Sequence, residues 1–186
     1  MNIRKARIED AVSVTQCILV AMQDLLFKFI GDDDAHKVHD LMLHFVMQKN
    51  NQYSFANCFV AELDQQVVGA VNIYDGARLK ELSDPFIQYI REKYNPQFNP
   101  EPETQAGEFY IDTLGVLPLF QGKGIGTQLL QYVIVEYVQN EHHTLGLLVD
   151  TNNDSAKRLY TRLGLQVVAQ RSFMGKLMEH MQIKPY

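Results

Sequence analysis

The chain has 186 residues, enough for one domain, or for one domain with an elaborate insertion. A hydrophobic share of 46% and a charged share of 21% exclude a disordered chain, a collagen-like fibre and a disulfide scaffold. The net charge of -5, from 17 basic and 22 acidic residues, argues against a protein that grips phosphate backbones, so no nucleic-acid partner is expected.

Residues 2–8 read as a short strand, and Glu9-Asp10 mark a helix start. Arg4, Lys5 and Arg7 precede a charge-free stretch from Ala11 to Gln23, a faint likeness to a signal peptide. Glu9, Asp10 and the polar Ser13, Thr15 and Gln16 argue against that, and no cleaved signal is expected. Ile18, Met22, Leu25, Leu26 and Phe29 recur at helical spacing until Gly31. No window reaches the roughly 18–20 apolar residues of a membrane helix, so no membrane association is expected. Asp32-Asp33-Asp34 suit the positive end of a second helix, whose apolar face is Val38, Leu41, Met42, Phe45 and Val46. Cys58 to Leu63 and Val67 to Tyr74 read as a hairpin turning at Asp64-Gln65-Gln66. The two cysteines, Cys17 and Cys58, have neither metal nor redox spacing, which predicts buried thiols in a reducing cytoplasm.

Residues 76–106 are the odd piece: a helix from Pro85 to Tyr94, then Pro96, Pro100 and Pro102. A connection this long is either a binding loop or lid, or a solvated excursion. Strands follow at Phe109 to Val116 and Thr144 to Asp150, and helices at Gly124 to Tyr137 and Asn153 to Leu163. A last hairpin pairs Leu165 to Arg171 with Lys176 to Ile183. Hairpins mixed with strand–helix–strand units predict an α/β (α+β) domain over residues 1–186, a mixed sheet with helices on both faces.

The densest chemical signal is Gln121-Gly122-Lys123-Gly124-Ile125-Gly126, which follows a strand and opens a helix. Three glycines in five residues let the backbone approach a ligand, and amides at a helix N-terminus favour an anion. The spacing fits neither the dinucleotide pattern nor the P-loop. It resembles the Q/R-x-x-G-x-G/A pyrophosphate motif of the GNAT superfamily of N-acetyltransferases. Leu114-Gly115-Val116-Leu117-Pro118 is similar to that family's L-x-V-x-P strand end. Asn153 to Leu165 is similar to its N-x-x-A-x-x-L-Y-x-x-L-G-F helix, with Leu165 in place of the usual Phe. The resemblance is firm from about Glu108 to Leu165.

It implies a mostly antiparallel sheet of six to seven strands, splayed at its centre between the strands ending near Val116 and Asp150. Acetyl-CoA would enter that gap as co-substrate, with no metal. Leu114, Gly115 and Val116 would meet the pantetheine arm. Amides of Gln121, Gly122, Lys123, Gly124, Ile125, Gly126 and Thr127 would hold the pyrophosphate. Asn153 would touch the arm or cap its helix, and Tyr160 would serve the leaving thiolate. For the base, the position usually held by the family's glutamate is Tyr110, which leaves Glu108 and Asp112 as substitutes. Glu108, Tyr110, Asp112 and Leu114 share one face of their strand unless a bulge intervenes.

His36, His39 and His44 lack the H-E-x-x-H arrangement and read as a solvated helix face. The expected activity is transfer of an acetyl group to a primary amine. Glu108 and Asp112 lean toward a small cationic acceptor, with a peptide or protein amine as the other acceptor class. A non-catalytic acyl-CoA sensor is the competing reading, and the oligomeric state stays open, a homodimer included.

Overall fold

In a computed structural model of the chain, which describes residues 1–185, seven strands form one sheet. In chain order they are β1 (Asn2–Lys5), β2 (Cys58–Leu63), β3 (Gln66–Asp75), β4 (Phe109–Val116), β5 (Leu145–Asp150), β6 (Gln166–Phe173) and β7 (Lys176–Ile183). Across the sheet they run β1-β2-β3-β4-β5-β7-β6. Every neighbouring pair is antiparallel except β4 and β5. The β2–β3 turn is two residues, since Leu63 pairs with Gln66. Asp64 and Gln65 both have positive φ (49° and 64°), the backbone that matches a two-residue turn to the twist of its strands.

Five helices cover the faces: α1 (Ala11–Ile30), α2 (Ala35–Val46), α3 (Leu79–Lys93), α4 (Ile125–Val133) and α5 (Asp154–Arg162). Gly31 stops α1 in the left-handed conformation, and the Asp34 side chain caps α2 by accepting from the amides of His36 and Lys37. α1, α2 and α3 bury their apolar faces on one side of the sheet, through Val14, Ile18, Leu41, Phe45, Phe86 and Ile90. On the other side α4 and its π-helical continuation, Ile134–Asn140, bury Leu129, Leu130, Val133 and Val138. Ala156, Leu159, Tyr160 and Leu163 of α5 pack half-buried against that second core.

Three expectations change. α3 starts at Leu79, so Pro85 lies inside the helix instead of opening it. The segment after α3 is no solvated excursion. Phe98 is buried, the Arg91 guanidinium donates to its carbonyl at 2.7 Å, and the Gly76 amide donates to the Glu108 carbonyl at 2.9 Å. Finally, Ile8–Ile30 is long and apolar enough to span a bilayer by length and composition, although no uninterrupted apolar run announces it. Here its Val14, Cys17, Ile18 and Leu26 are fully buried in the protein core.

Candidate active site

β4 and β5 pair only at Phe109↔Leu145, Tyr110↔Gly146 and Ile111↔Leu147. Beyond those residues the two strands part, and a cleft of about 970 Å³ opens across the sheet. The cause lies in β4. Opposite β3, Ile73 pairs with Ile111 and Asn72 with Thr113, so Asp112 is an extra residue, a bulge. A bulge bends its strand away from the neighbour on its other side. It also shifts the phase of everything after it.

Before the bulge, Phe109 sends its amide toward β5, to the carbonyl of Thr144 at 2.8 Å. After it, the Leu117 amide points back to β3 and meets the carbonyl of Val68 at 2.9 Å. Amide direction alternates along a strand, so Leu114 and Val116 aim theirs into the gap, where β5 has withdrawn. Side chains shift phase too. Leu114 and Val116 pack with the α4 core, while on the opposite side Tyr110 packs with Tyr74 and with Leu82 of α3, Asp112 accepts from Tyr74 and Thr113 meets Met22 of α1. The expected common face of Glu108, Tyr110, Asp112 and Leu114 is thereby broken: Leu114 has changed sides. Gly115 faces α1, where an added Cβ would sit on the carbonyl oxygen of Cys17. Helix packing, not a ligand, requires glycine there.

The loop from Gln121 to Gly124 leads into α4 at the mouth of the cleft. Gly122 and Gly124 both have positive φ (73° and 78°), and an added Cβ at Gly122 would meet nothing within 4 Å. The amides of Gly122, Lys123 and Gly124 find no protein acceptor among the described residues. Those of Ile125, Gly126 and Thr127 open the helix and have no intrahelical partner by construction. Free donors, a helix dipole and open space fit the diphosphate of a coenzyme. The Gln121 side chain donates to the Val116 carbonyl at 2.9 Å and ties this loop to the strand end. Asn153 caps α5, accepting from the Ala156 amide at 3.1 Å, and also lines the cleft. Tyr160 lines the same wall, with burial pushing its hydroxyl pKa up, so it stays protonated at neutral pH.

Deeper in, the cleft ends on carboxylates. Asp112 accepts from Thr113 Oγ1 at 2.7 Å, Tyr74 Oη at 2.9 Å and Gln52 Nε2 at 3.4 Å. Glu103, from the segment after α3, reaches the same place and accepts from Tyr110 Oη at 3.3 Å. Burial and then the charge of Asp112 push Glu103 well above the usual carboxylate range. Burial raises Asp112 as well, against the pull of its three donors. Asp112 is the better-solvated anion of the two, so Glu103 holds the proton. Burial likewise keeps Tyr53, Tyr74 and Tyr110 protonated.

Glu108 is elsewhere. It crosses the bare Cα of Gly146 to meet His180 Nε2 at 2.8 Å and Gln182 Nε2 at 2.6 Å, while Thr104 Oγ1 donates at 2.6 Å. It does not line the cleft. Among the described residues no three His, Cys, Asp or Glu side chains gather as metal ligands would.

Sequence reasoning passed over Glu103, Gln52, Tyr53 and Tyr74 as site residues, and it read Met22 and Leu25 only as part of an amphipathic helix face, although both line the cleft. Only Pro100 and Pro102, just before Glu103, gave a hint, by marking its segment as a loop.

Comparison with known proteins agrees with this geometry. The family model "Acetyltransferase (GNAT) family" matches residues 19–165. A 68-residue stretch is 37% identical to the N-alpha-acetyltransferase RimI of Mycobacterium tuberculosis (strain ATCC 25618 / H37Rv). That match spans 37% of this chain and 41% of the relative, well under half of its length. An acetyltransferase of known crystal structure superimposes over all of both chains with a TM-score of 0.82 at 26% identity. A putative acetyltransferase from Salmonella typhimurium, yncA, solved with its cofactor acetyl-CoA, shares the fold at a TM-score of 0.59 and 21% identity, over 98% of this chain and 92% of that one. A sheet parted between its only parallel strands, beside a glycine-rich helix start, is thus accompanied by a family match over most of the sequence: the chain belongs to the GNAT family of acetyltransferases.

Proposed function

We propose that the protein transfers an acetyl group from acetyl-CoA to a primary amine of a small molecule. The observation that carries this reading is the parting of β4 and β5 beyond Ile111 and Leu147, which leaves inward-facing amides on one side and a carboxylate pair at the end. Acetyl-CoA, when bound, supplies an acyl carbon and a thiolate leaving group. The chain's own groups supply the rest. Amides of Gly122 to Thr127 hold the diphosphate, and those of Leu114 and Val116 hydrogen-bond the pantetheine arm as an added strand would.

An amine arrives as an ammonium, which has no lone pair. Asp112 takes its proton, helped by a buried setting that disfavours the charged amine. The nitrogen then bonds to the acyl carbon, the carbon–sulfur bond breaks, Tyr160 Oη gives the sulfur a proton, and the second proton on the nitrogen leaves through water to restore the tyrosine hydroxyl. Protonated Glu103 accepts from the ammonium through its carbonyl oxygen, beside the charged Asp112, before the transfer. Glu108 has no part in this scheme, because its oxygens are already taken by three donors. Placement in the cytoplasm follows from two buried free thiols and is part of the same proposal.

Release of free CoA thiol from acetyl-CoA across a panel of primary amines tests the reading. Amine-dependent release is expected. Tight acetyl-CoA binding with no release for any amine in the panel would instead support an acyl-CoA sensor.

A further inference from the structure

Behind the carboxylate pair lies a second cavity, of about 410 Å³, between α3 and the segment that follows it. Phe29, Tyr53, Glu103 and Phe173 line both this cavity and the cleft, so the two spaces meet at these side chains. Its own walls include Leu79, Phe86, Ile87, Phe98 and Pro100. Phe86 is edge-on to Phe29, Tyr53 and Phe98, with centroids 6.2, 4.8 and 6.5 Å away. A preformed apolar chamber of about 300–1,000 Å³ with a few polar groups at its mouth is the usual form of a ligand pocket.

The charges around the chamber say what does not enter it. Lys80 and Asp84 pair at 2.8 Å, and Glu101 accepts from the Met174 amide at 3.0 Å. The carboxylate without a cationic or backbone partner is Glu103, at the junction with the cleft. One ammonium is thus accommodated at the junction, and the other carboxylates of the lining, Asp84 and Glu101, are already engaged by Lys80 and by the Met174 amide.

Building on the N-acetyltransferase reading above, we propose that the chamber holds the apolar tail of the acceptor, so that the substrate is a small primary amine bearing a ring or branched alkyl group. The ammonium sits between Glu103 and Asp112, and the tail passes Phe29, Tyr53 and Phe173 into the chamber. A polyamine would bring its second charge into a chamber whose walls are mostly apolar and whose deeper carboxylates, Asp84 and Glu101, already have partners. A peptide N-terminus would bring a carbonyl and an amide to a junction where three of the four shared walls are aromatic.

The test uses the full chain and four probes: ethylamine, 2-phenylethylamine, spermidine and phenylalanyl-alanine amide. Thiol release gives kcat/KM for each, and calorimetry with CoA present gives affinities for the first two. Burial of a phenyl group predicts a preference for 2-phenylethylamine over ethylamine of at least about tenfold, carried by KM. Ser83→Phe, which fills the chamber, should bring that ratio close to one, and Ile87→Trp serves if Ser83→Phe melts early. A ratio below about tenfold, a ratio unmoved in a folded filled variant, or a preference for spermidine or the peptide overturns the proposal and leaves the transferase reading standing. If no amine releases thiol, the transferase reading has failed and calorimetry decides the chamber alone. Binding of 2-phenylethylamine at least about tenfold tighter than ethylamine then supports it, and equal or absent binding refutes it.

Discussion

Asp112 owes its place to one extra residue in β4. Without the bulge, the amides of Leu114 and Val116 would face β3 and the strand would have no reason to leave β5. The same residue ends at the cleft floor beside Glu103, and the two titrate together. Asp112 works as an anion and its pKa is raised, chiefly by burial, so kcat/KM should climb as pH rises through that elevated value and fall below it. Glu103→Gln exchanges a protonated carboxyl for a neutral amide and should leave this acidic limb, which belongs to Asp112, where it is; a limb that moves contradicts the protonation assigned to Glu103. Asp112→Asn should lower kcat by about a hundredfold or more while acetyl-CoA binds as before. Tyr160→Phe should lower kcat with little change in acetyl-CoA affinity, and full turnover in that variant would remove the hydroxyl from the scheme.

At the scale of elements, two joints hold the cleft in shape. The first is the helix start at Gly124. Its φ of +78° strains any residue with a side chain, and a carboxylate there would face the diphosphate. Gly124→Glu is expected to abolish acetyl-CoA binding in calorimetry while leaving the melting transition in place. The second joint is Glu108, buried with His180, Gln182 and Thr104, which fastens the start of β4 across β5 to β7 at the closed end of the paired stretch. Burial alone would raise this carboxyl, but the donors outweigh it and its pKa is lowered. A carboxyl depressed in the folded state contributes stability that is present above the unfolded value, about 4.3, and is lost as pH falls through the lower folded value. Glu108→Ala leaves three donors unpartnered and should cost about 3–5 kcal/mol, read from denaturant unfolding near pH 7. The loss should shrink in acid, where the wild-type carboxyl is protonated.

The glycine loop and the α5 helix were legible in the chain because each is a local device: backbone freedom, a cap and a helix face occupy neighbouring residues. Asp112 was legible as a candidate, but the reason for its position was not, since a bulge is fixed by pairing with β3. Gly115 was noticed for the right property and given the wrong neighbour, because only the folded molecule shows α1 lying on it. Glu108 looked like a base while its partners His180 and Gln182 lay some 70 positions away.

Across the whole molecule, one side of the sheet supplies the coenzyme wall and the other the acceptor wall. α4 and α5 stand on the first; α1, α3 and the segment carrying Glu103 stand on the second. Met22 and Leu25 of α1 were legible only as part of an amphipathic helix, because helical spacing cannot distinguish a face against protein from a face against a cleft. Glu103 and Tyr53 gave no signal of their own, since what brings them to Asp112 is the packing of Phe86 and Phe98 far from any motif. The parted strands are what joins the two walls. A crystal structure of the protein with CoA tests that most directly. The pantetheine is expected between β4 and β5 on the amides of Leu114 and Val116, with the diphosphate on the amides of Gly122 to Thr127 and the sulfur directed toward Tyr160. Coenzyme bound on another surface, or β4 and β5 paired along their full length in its presence, would contradict it.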